Sequence, residues 1–299
     1  SEGQLGVVTE ATVRLLPAPE GTRPVLIGFD SSEAAASCVA AIIAAGIVPV
    51  AIEFMDRPAI HVCEHFVPAG YPLDAEAALI IEVEGSEDEI EFLLEKIEDI
   101  ARDFLPTSLR RSQSPDETAM IWKGRKAAFG AIGQISDYYC MDGVIPLSQL
   151  PKALDEIGWI CRKYRFDVAN IFHAGDGNLH PLILYNANDS VQLERVELCG
   201  AEILKLCVEL GGCLTGEHGV GIEKRELMYE QYTDEDIDQQ VRVKEEFDPS
   251  WLLNPGKVFP IEGRDALRLR SVELQGLEVD VVTETVAVEE EQVEGHDAP

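Results

Sequence analysis

The sequence predicts an α+β fold: an antiparallel or mixed sheet covered by helices. Two observations carry this. Apolar strand-like runs alternate with longer segments that open on helix-capping residues. A hairpin signal, "FHAGDGNLHP" at 172–181, joins two strands directly and without a helix. Strand–helix–strand units connected in this way bury one face of a sheet under helices.

The elements follow in order. "LGVVTEATVRLL" reads as an opening strand and "PAPEGTRP" as a loop. "VLIGF" is a strand, after which Asp30 and Glu33 pair as a capping box for an apolar helix through Ala45. "VPVAIEFM" and "AALIIEVEG" are strands. Ser86 with Glu89 caps a helix to about Phe104, followed by a short strand near 107–111. Ser114-Pro115 opens the helix carrying "ETAMIWKGRKAAFGAI", with proline at its first position. "GQISDYYCMD" is a strand, and a helix runs from about Ser148 to Tyr164. After the hairpin come a long helix over 189–210 and "GGCLTGEHGVGIEKRELM", a glycine-rich loop entering another helix. Thr233 caps one more helix, and "FDPSWLLNPGKVFP" closes the ordered part. Beyond Gly263, valine and leucine alternate with acids without turn or cap signals, so 263–299 reads as a disordered acidic tail with at most a frayed strand.

Composition narrows the function. At 299 residues and 46% hydrophobic content the chain can bury a large core. No apolar run approaches the roughly 20 residues that span a bilayer, and no basic-then-apolar leader is present. A cytoplasmic location is expected, peripheral to a membrane only through partner subunits. The formal charge is −31, from 24 basic and 55 acidic residues. Residues from Ser271 onward hold nine acids and no bases, which leaves −31 + 9 = −22 for the rest. Such a field repels nucleic acid and anionic membrane. The cysteines number 7, with no C-x-x-C pair, so zinc-ribbon and iron–sulfur spacings are absent and buried reduced thiols are expected.

The candidate chemistry begins at the hairpin. Gly175 and Gly177 would each cost about 1 kcal/mol inside a helix, whereas Asp176-Gly177 suits a two-residue turn. That turn sets Gly175 opposite Asn178, Ala174 opposite Leu179 and His173 opposite His180. The two imidazoles then share a face, with Cβ atoms about 5 Å apart, a geometry that can hold a divalent cation. In "TGEHG", Glu217 completes a two-histidine, one-carboxylate set with an open position, suited to Zn²⁺, Fe²⁺ or Mn²⁺. His218 beside it is placed as a general base. Arg125 can pair bidentately with a substrate carboxylate. Singly, each feature has a plainer reading. The histidines can be a packed or solvent-facing pair, Arg125 with Lys123 and Lys126 a solvated basic face, and "NPGK" a turn after a helix.

Together, "HAGDGNLHP", "GGCLTGEHGVGIEK" and "FDPSWLLNPGK" resemble, in order and spacing, the C-terminal domain of FAD-linked 2-hydroxy-acid oxidases and dehydrogenases of the vanillyl-alcohol-oxidase-like superfamily. The flavin subunit of the bacterial glycolate oxidase branch is nearest in pattern, and "WKGRKAAFGAIGQISDYYCMDGVIP" resembles it too. "SEGQLGVVTEATVRLLP" resembles the last stretch of the family's flavin-binding domain. The resemblance implies three parts: 1–17, a remnant of a truncated FAD-binding domain; 18–262, the substrate and metal domain; and 263–299, the tail.

The resemblance further implies oxidation of a D-2-hydroxy acid to the 2-oxo acid, with hydride passing to FAD. It assigns His173, His180 and Glu217 as metal ligands, His218 as base and Arg125 as the substrate-carboxylate residue. Gly3, Gly6, Val7 and Asn254 match positions lining the flavin. Cys140 stands where the dehydrogenase branch has lysine, Leu182 where it has asparagine, and Gln4 where threonine is usual. The first two departures favour a small monocarboxylate such as glycolate or lactate. No glycine-rich phosphate cradle is found, so these residues alone are expected to bind FAD poorly or not at all. A second flavin-type subunit and an iron–sulfur subunit are the implied partners. Other readings are a metal-dependent hydrolase on the same ligands, a non-catalytic assembly fragment, and a flavoprotein without net redox of the kind that makes ether-lipid precursors.

Overall fold

The computed structural model describes residues 1–260; the expected acidic tail lies outside the described residues. The first half contains β1 (Gly21–Phe29), α1 (Ser32–Ala44), β2 (Ala51–Asp56), α2 (Arg57–Phe66), β3 (Ala77–Gly85), α3 (Glu87–Arg102), β4 (Ser108–Arg111) and α4 (Pro115–Gly133). The centre contains β5 (Asp137–Cys140), β6 (Gly143–Val144), α5 (Leu150–Lys163), β7 (Val168–His173), β8 (Asn178–Leu179) and β9 (Pro181–Tyr185). Last come α6 (Ser190–Glu209), α7 (Met228–Gln231) and α8 (Asp234–Phe247).

Strands β4, β1, β3, β2 and β7 lie side by side in that order, each pairing antiparallel. One end of β7 continues through β8 to β6, the other through β9 to β5. With α1 and α3 as crossovers, the first four strands make a split β-α-β arrangement. Helices cover both faces of the sheet, where the sequence suggested one. Val25, Ile27 and Phe29 of β1 pack with α1, α3 and α5, while Leu26 packs with Ile60 of α2 and Ile121 of α4. Consecutive apolar residues in β1 and β3 leave no face for water, so each face needs its own helices.

Several helix starts follow the capping residues. Ser86 and Glu89 form a reciprocal box, Ser114 caps α4 ahead of Pro115, and Thr233 caps α8 with Asp236. α1 is capped by Ser31, which accepts from the Ala34 amide, and not by Asp30. α2 escaped sequence reasoning, although Asp56 and Pro58 mark its start. The opening strand is not formed: residues 5–16 pair with no strand among the described residues, and Val7, Val8, Val13, Leu15 and Leu16 are exposed. A strand persists only when a neighbour takes up its ladder of amides and carbonyls.

The pairing of β2 with β7 fixes the site. Phe54 lies opposite Phe172 with rings stacked at 4.7 Å inside the core, and the next pair, Glu53 opposite His173, points to the other face. A slip of one residue would invert both pairs. At the end of β2, buried Asp56 accepts from the Ala59 amide and from the backbone and side-chain N–H groups of Asn170. Burial pushes its carboxyl up to about 6 despite those bonds.

The hairpin differs in register from the expected one. Residues 174–176 form a 3₁₀ turn, His173 pairs with Asn178, and Gly177 sits at φ 69°. The pairing has moved by two residues, an even step that keeps both histidines on one face but places them diagonally. Gly177 is required twice over: its positive φ disfavours side chains, and an added Cβ would lie 2.2 Å from the Ile145 carbonyl oxygen. Gly177→Ala is therefore expected to lower stability by about 1–3 kcal/mol, read as a reduced urea midpoint with an unchanged slope.

Candidate metal and active site

Three segments meet beside β7. The β2 strand brings Glu53, the hairpin brings His173 and His180, and the loop after α6 brings Glu217 and His218. His173 Nε2 lies 3.6 Å and His180 Nε2 3.3 Å from Glu217 Oε1. The His173 and His180 ring centroids are 5.3 Å apart. His180 is 2% exposed; its Nε2 lies 3.6 Å from Asp142 Oδ1 as well as 3.3 Å from Glu217 Oε1, and neither ring nitrogen makes a hydrogen bond of good geometry. An imidazole buried with both nitrogens unsatisfied costs stability unless something else binds it. His218 is half-exposed, stacks on His180 at 4.9 Å, and has Nε2 3.5 Å from Glu217 Oε1.

Among the described residues two groups of side chains have ligand geometry, and both use His180: His173 with Glu217, and Asp142 with His218. Chemistry separates them. Asp142 is fully buried, and its oxygens already accept from the Thr215 hydroxyl, the amides of Gly216, Glu217 and His218, and Lys224 Nζ at 2.9 Å. Burial works to raise its pKa, but His180, Thr215, Lys224 and the Glu217 amide together hold the carboxyl well below the usual range. A carboxylate that already accepts from five donors, one of them an ammonium, is a poorer cation ligand than one that accepts from none. Its work is to hold 215–218 in place, with Glu2 extending the grip by accepting from the Val220 and Gly221 amides. Glu217 Oε1, by contrast, faces three imidazole nitrogens, those of His173, His180 and His218, and its side chain is half-exposed.

Behind His173 stands Glu53, which sequence reasoning missed. It is 5% exposed, with Oε1 2.9 Å from His173 Nδ1 and Oε2 accepting from Arg125 Nη2 at 2.7 Å and Nε at 3.1 Å. Arg125 is thus buried on α4 and not part of a solvated basic face. Burial tends to raise the Glu53 pKa, but the His173 hydrogen bond and the Arg125 charge win and lower it. The Glu53 hydrogen bond raises that of His173 against the opposing effect of partial burial. Asp142 and Lys224 were also missed. A lone acid in "VPVAIEFM" reads as an outward residue, and Asp-Gly in "CMDGV" reads as a turn.

At the N-terminal end, Gly3 (φ 72°) packs near Asn254 (φ 42°), whose side-chain amide donates to the Glu2 carbonyl at 2.5 Å. Lys244 Nζ, fully buried, donates to the Gln4 and Leu253 carbonyls and to Asp248. Gly6 and Val7 are exposed and lie away from these contacts, with no heavy atom within 4 Å of a Cβ built on Gly6.

With this geometry in place, the chain belongs to the family described as FAD linked oxidases, C-terminal domain, matched over residues 18–258. It is similar to glycolate oxidase subunit GlcD of Escherichia coli K12, 49% identical over 261 residues, covering 87% of this chain and 52% of the relative. GlcD of Bacillus subtilis 168 is 38% identical, covering 88% and 56%. D-lactate dehydrogenase [cytochrome] 1 of Saccharomyces cerevisiae is 28% identical, covering 87% and 45%. The chain therefore spans about half the length of these relatives. Among solved structures, p-cresol methylhydroxylase with substrate bound superposes with a TM-score of 0.64 at 13% identity, covering 81% of this chain and 53% of that one, a likeness of fold. No described helix is long and apolar enough to cross a membrane.

Two outcomes follow from the electrostatics. Asp142→Ala strands a buried Lys224 and is expected to cost about 3–5 kcal/mol; Asp142→Ala with Lys224→Met should recover part of that loss in urea unfolding. For His173, the folded pKa lies above the ordinary 6.5. Its protonation thus adds stability that is complete below 6.5 and fades as pH rises through the folded value. The stability gap between the metal-free wild type and His173→Gln should shrink over that rise. It should shrink again as pH falls from the ordinary 4.5 of Glu53 through its lowered folded value.

Proposed function

We propose that this chain is the substrate- and metal-binding part of an FAD-linked 2-hydroxy-acid oxidoreductase that converts a small D-2-hydroxy acid, of glycolate or lactate type, to the 2-oxo acid. The observation that carries it is His180, buried with two unsatisfied nitrogens and facing Glu217 Oε1 beside His173, in a chain of this family. Two nitrogens and one carboxylate oxygen suit Zn²⁺, Fe²⁺ or Mn²⁺, so His173, His180 and Glu217 would hold the cation. When bound, a cation of this kind makes the substrate hydroxyl more acidic and fixes its orientation.

The chain's own residues supply the rest. His218 accepts the hydroxyl proton at Nε2; it is accessible, and its stacking on His180 keeps it beside the ligands. Arg125 commits Nε and Nη2 to Glu53, which leaves Nη1 for a substrate carboxylate. His180 and Asp142 form a buried floor beneath the half-exposed Glu217 and His218. Substrate oxidation releases one proton, to His218, and a hydride from Cα. FAD is the two-electron acceptor that the family name implies. Gly3, Gly6, Val7 and Asn254 would line its edge, and the open space at Gly6 lets a flat ring approach the main chain.

Cys140 and Leu182 give a second carboxylate no charged partner at those positions, which supports a monocarboxylate. The relatives called subunits support assembly with partner chains; a second flavin-type subunit and an iron–sulfur subunit, with the protein cytoplasmic or held at a membrane through them, are what the resemblance of the sequence implies.

In the full-length protein, His173→Ala and His180→Ala should each remove stoichiometric metal and cut glycolate or D-lactate turnover by at least the 10–100-fold seen for lost metal-shell groups. Elemental analysis with a hydroxy-acid panel tests this, and unchanged turnover in both variants would end the metal role. Ester or amide hydrolysis without flavin would instead favour a hydrolase.

A further inference from the structure

We propose that Glu53 is a positioning residue: one carboxylate oxygen holds His173 in the Nδ1–H tautomer, leaving the Nε2 lone pair for a cation, while the other is bound by Arg125. This rests on the metal reading above. It assigns to the β2 strand a part in the site that no sequence motif marks.

The geometry leaves little freedom. Glu53 is buried, and both of its oxygens are engaged, Oε1 at 2.9 Å from His173 Nδ1 and Oε2 at 2.7 and 3.1 Å from Arg125. An ionised carboxylate only accepts hydrogen bonds, so in a neutral ring the proton must sit on Nδ1. The lone pair is then on Nε2, the atom 3.6 Å from Glu217 Oε1. Direct cross-strand pairing of Glu53 with His173 fixes the distance between their backbones, and the stacked Phe54–Phe172 pair below prevents a slip. A carboxylate behind a ligating histidine fixes ring orientation and raises ligand basicity.

Arg125 has a distinct part. The guanidinium donates twice to Oε2, so Oε1 is the oxygen left to face His173 Nδ1. Arg125 is also a pure donor, so whichever atom faces it must be an acceptor.

That last point gives the test. In Glu53→Gln, Arg125 claims the amide oxygen, so the NH₂ group faces His173 Nδ1, which must then accept. The proton moves to Nε2. In the full-length protein without metal, long-range ¹H–¹⁵N NMR should show the Nδ1–H tautomer of His173 in wild type and the Nε2–H tautomer in Glu53→Gln. Cobalt(II) affinity, followed by its ligand-field absorption, should fall on the order of 10–100-fold. Adding Arg125→Met frees the glutamine to turn its oxygen toward His173, so the double variant should regain the Nδ1–H tautomer and most of the affinity. A role in folding alone would give no such recovery. An unchanged tautomer in Glu53→Gln, or a double variant no better than the single one, overturns the proposal. Failure of the wild type to bind cobalt(II) while the tautomers behave as described would overturn the metal reading, and with it the cation's place in the proposal, in a separate measurement.

Discussion

The site depends on the register of two antiparallel strands. β2 and β7 are locked by the Phe54–Phe172 stack on the core side, and because side chains alternate, the same register presents Glu53 and His173 to the other side. Packing free energy thereby fixes a polar contact. The apolar pair sets the alignment, and the carboxylate–imidazole pair inherits it. Asp56 closes the end of the strand by binding Asn170 on β7, so β2 is tied to β7 a second time beyond the Phe54–Phe172 pair.

A second fixed point is Asp142. The loop 215–218 has no ladder of its own, and its amides would face the interior unsatisfied. One carboxylate collects three of them together with the Thr215 hydroxyl and the Lys224 ammonium. Buried carboxylates are tolerated when surrounded by donors, and here the donors come from the loop that carries Glu217 and His218. Two acids thus stand behind the site in different capacities. Glu53 orients the His173 ring from the strand side, and Asp142 shapes the loop that brings Glu217 and His218.

The N-terminal segment has a split character. Residues 2–4 are tied by Glu2, Gln4 and Lys244 to the loops at 220 and 254, while the apolar stretch from Val7 to Leu16 is exposed. The first part orders main chain near Asn254. The second carries strand-forming residues without strand partners among the described residues.

Most helix starts and strand positions, and the nearness of His173 to His180, were legible in the sequence because each rests on local chemistry: capping side chains, apolar periodicity, glycines that admit a turn; the opening strand failed because it lacks a neighbour among the described residues. The one-residue error at Ser31 and the missed α2 are of the same local kind, since Ser31 and Asp56-Arg57-Pro58 carry the signal. The two-residue shift in the hairpin is not. It goes with the Ile145 amide donating to the Gly177 carbonyl and with β6 pairing with β8, contacts with residues more than thirty positions away. Only the tertiary structure decided that Arg125 is buried, that Glu53 lies between it and His173, and that Asp142 is spent on a loop. These are pairings of charge across 72 to 120 residues of chain, and no local pattern encodes which distant partner a buried charge will meet.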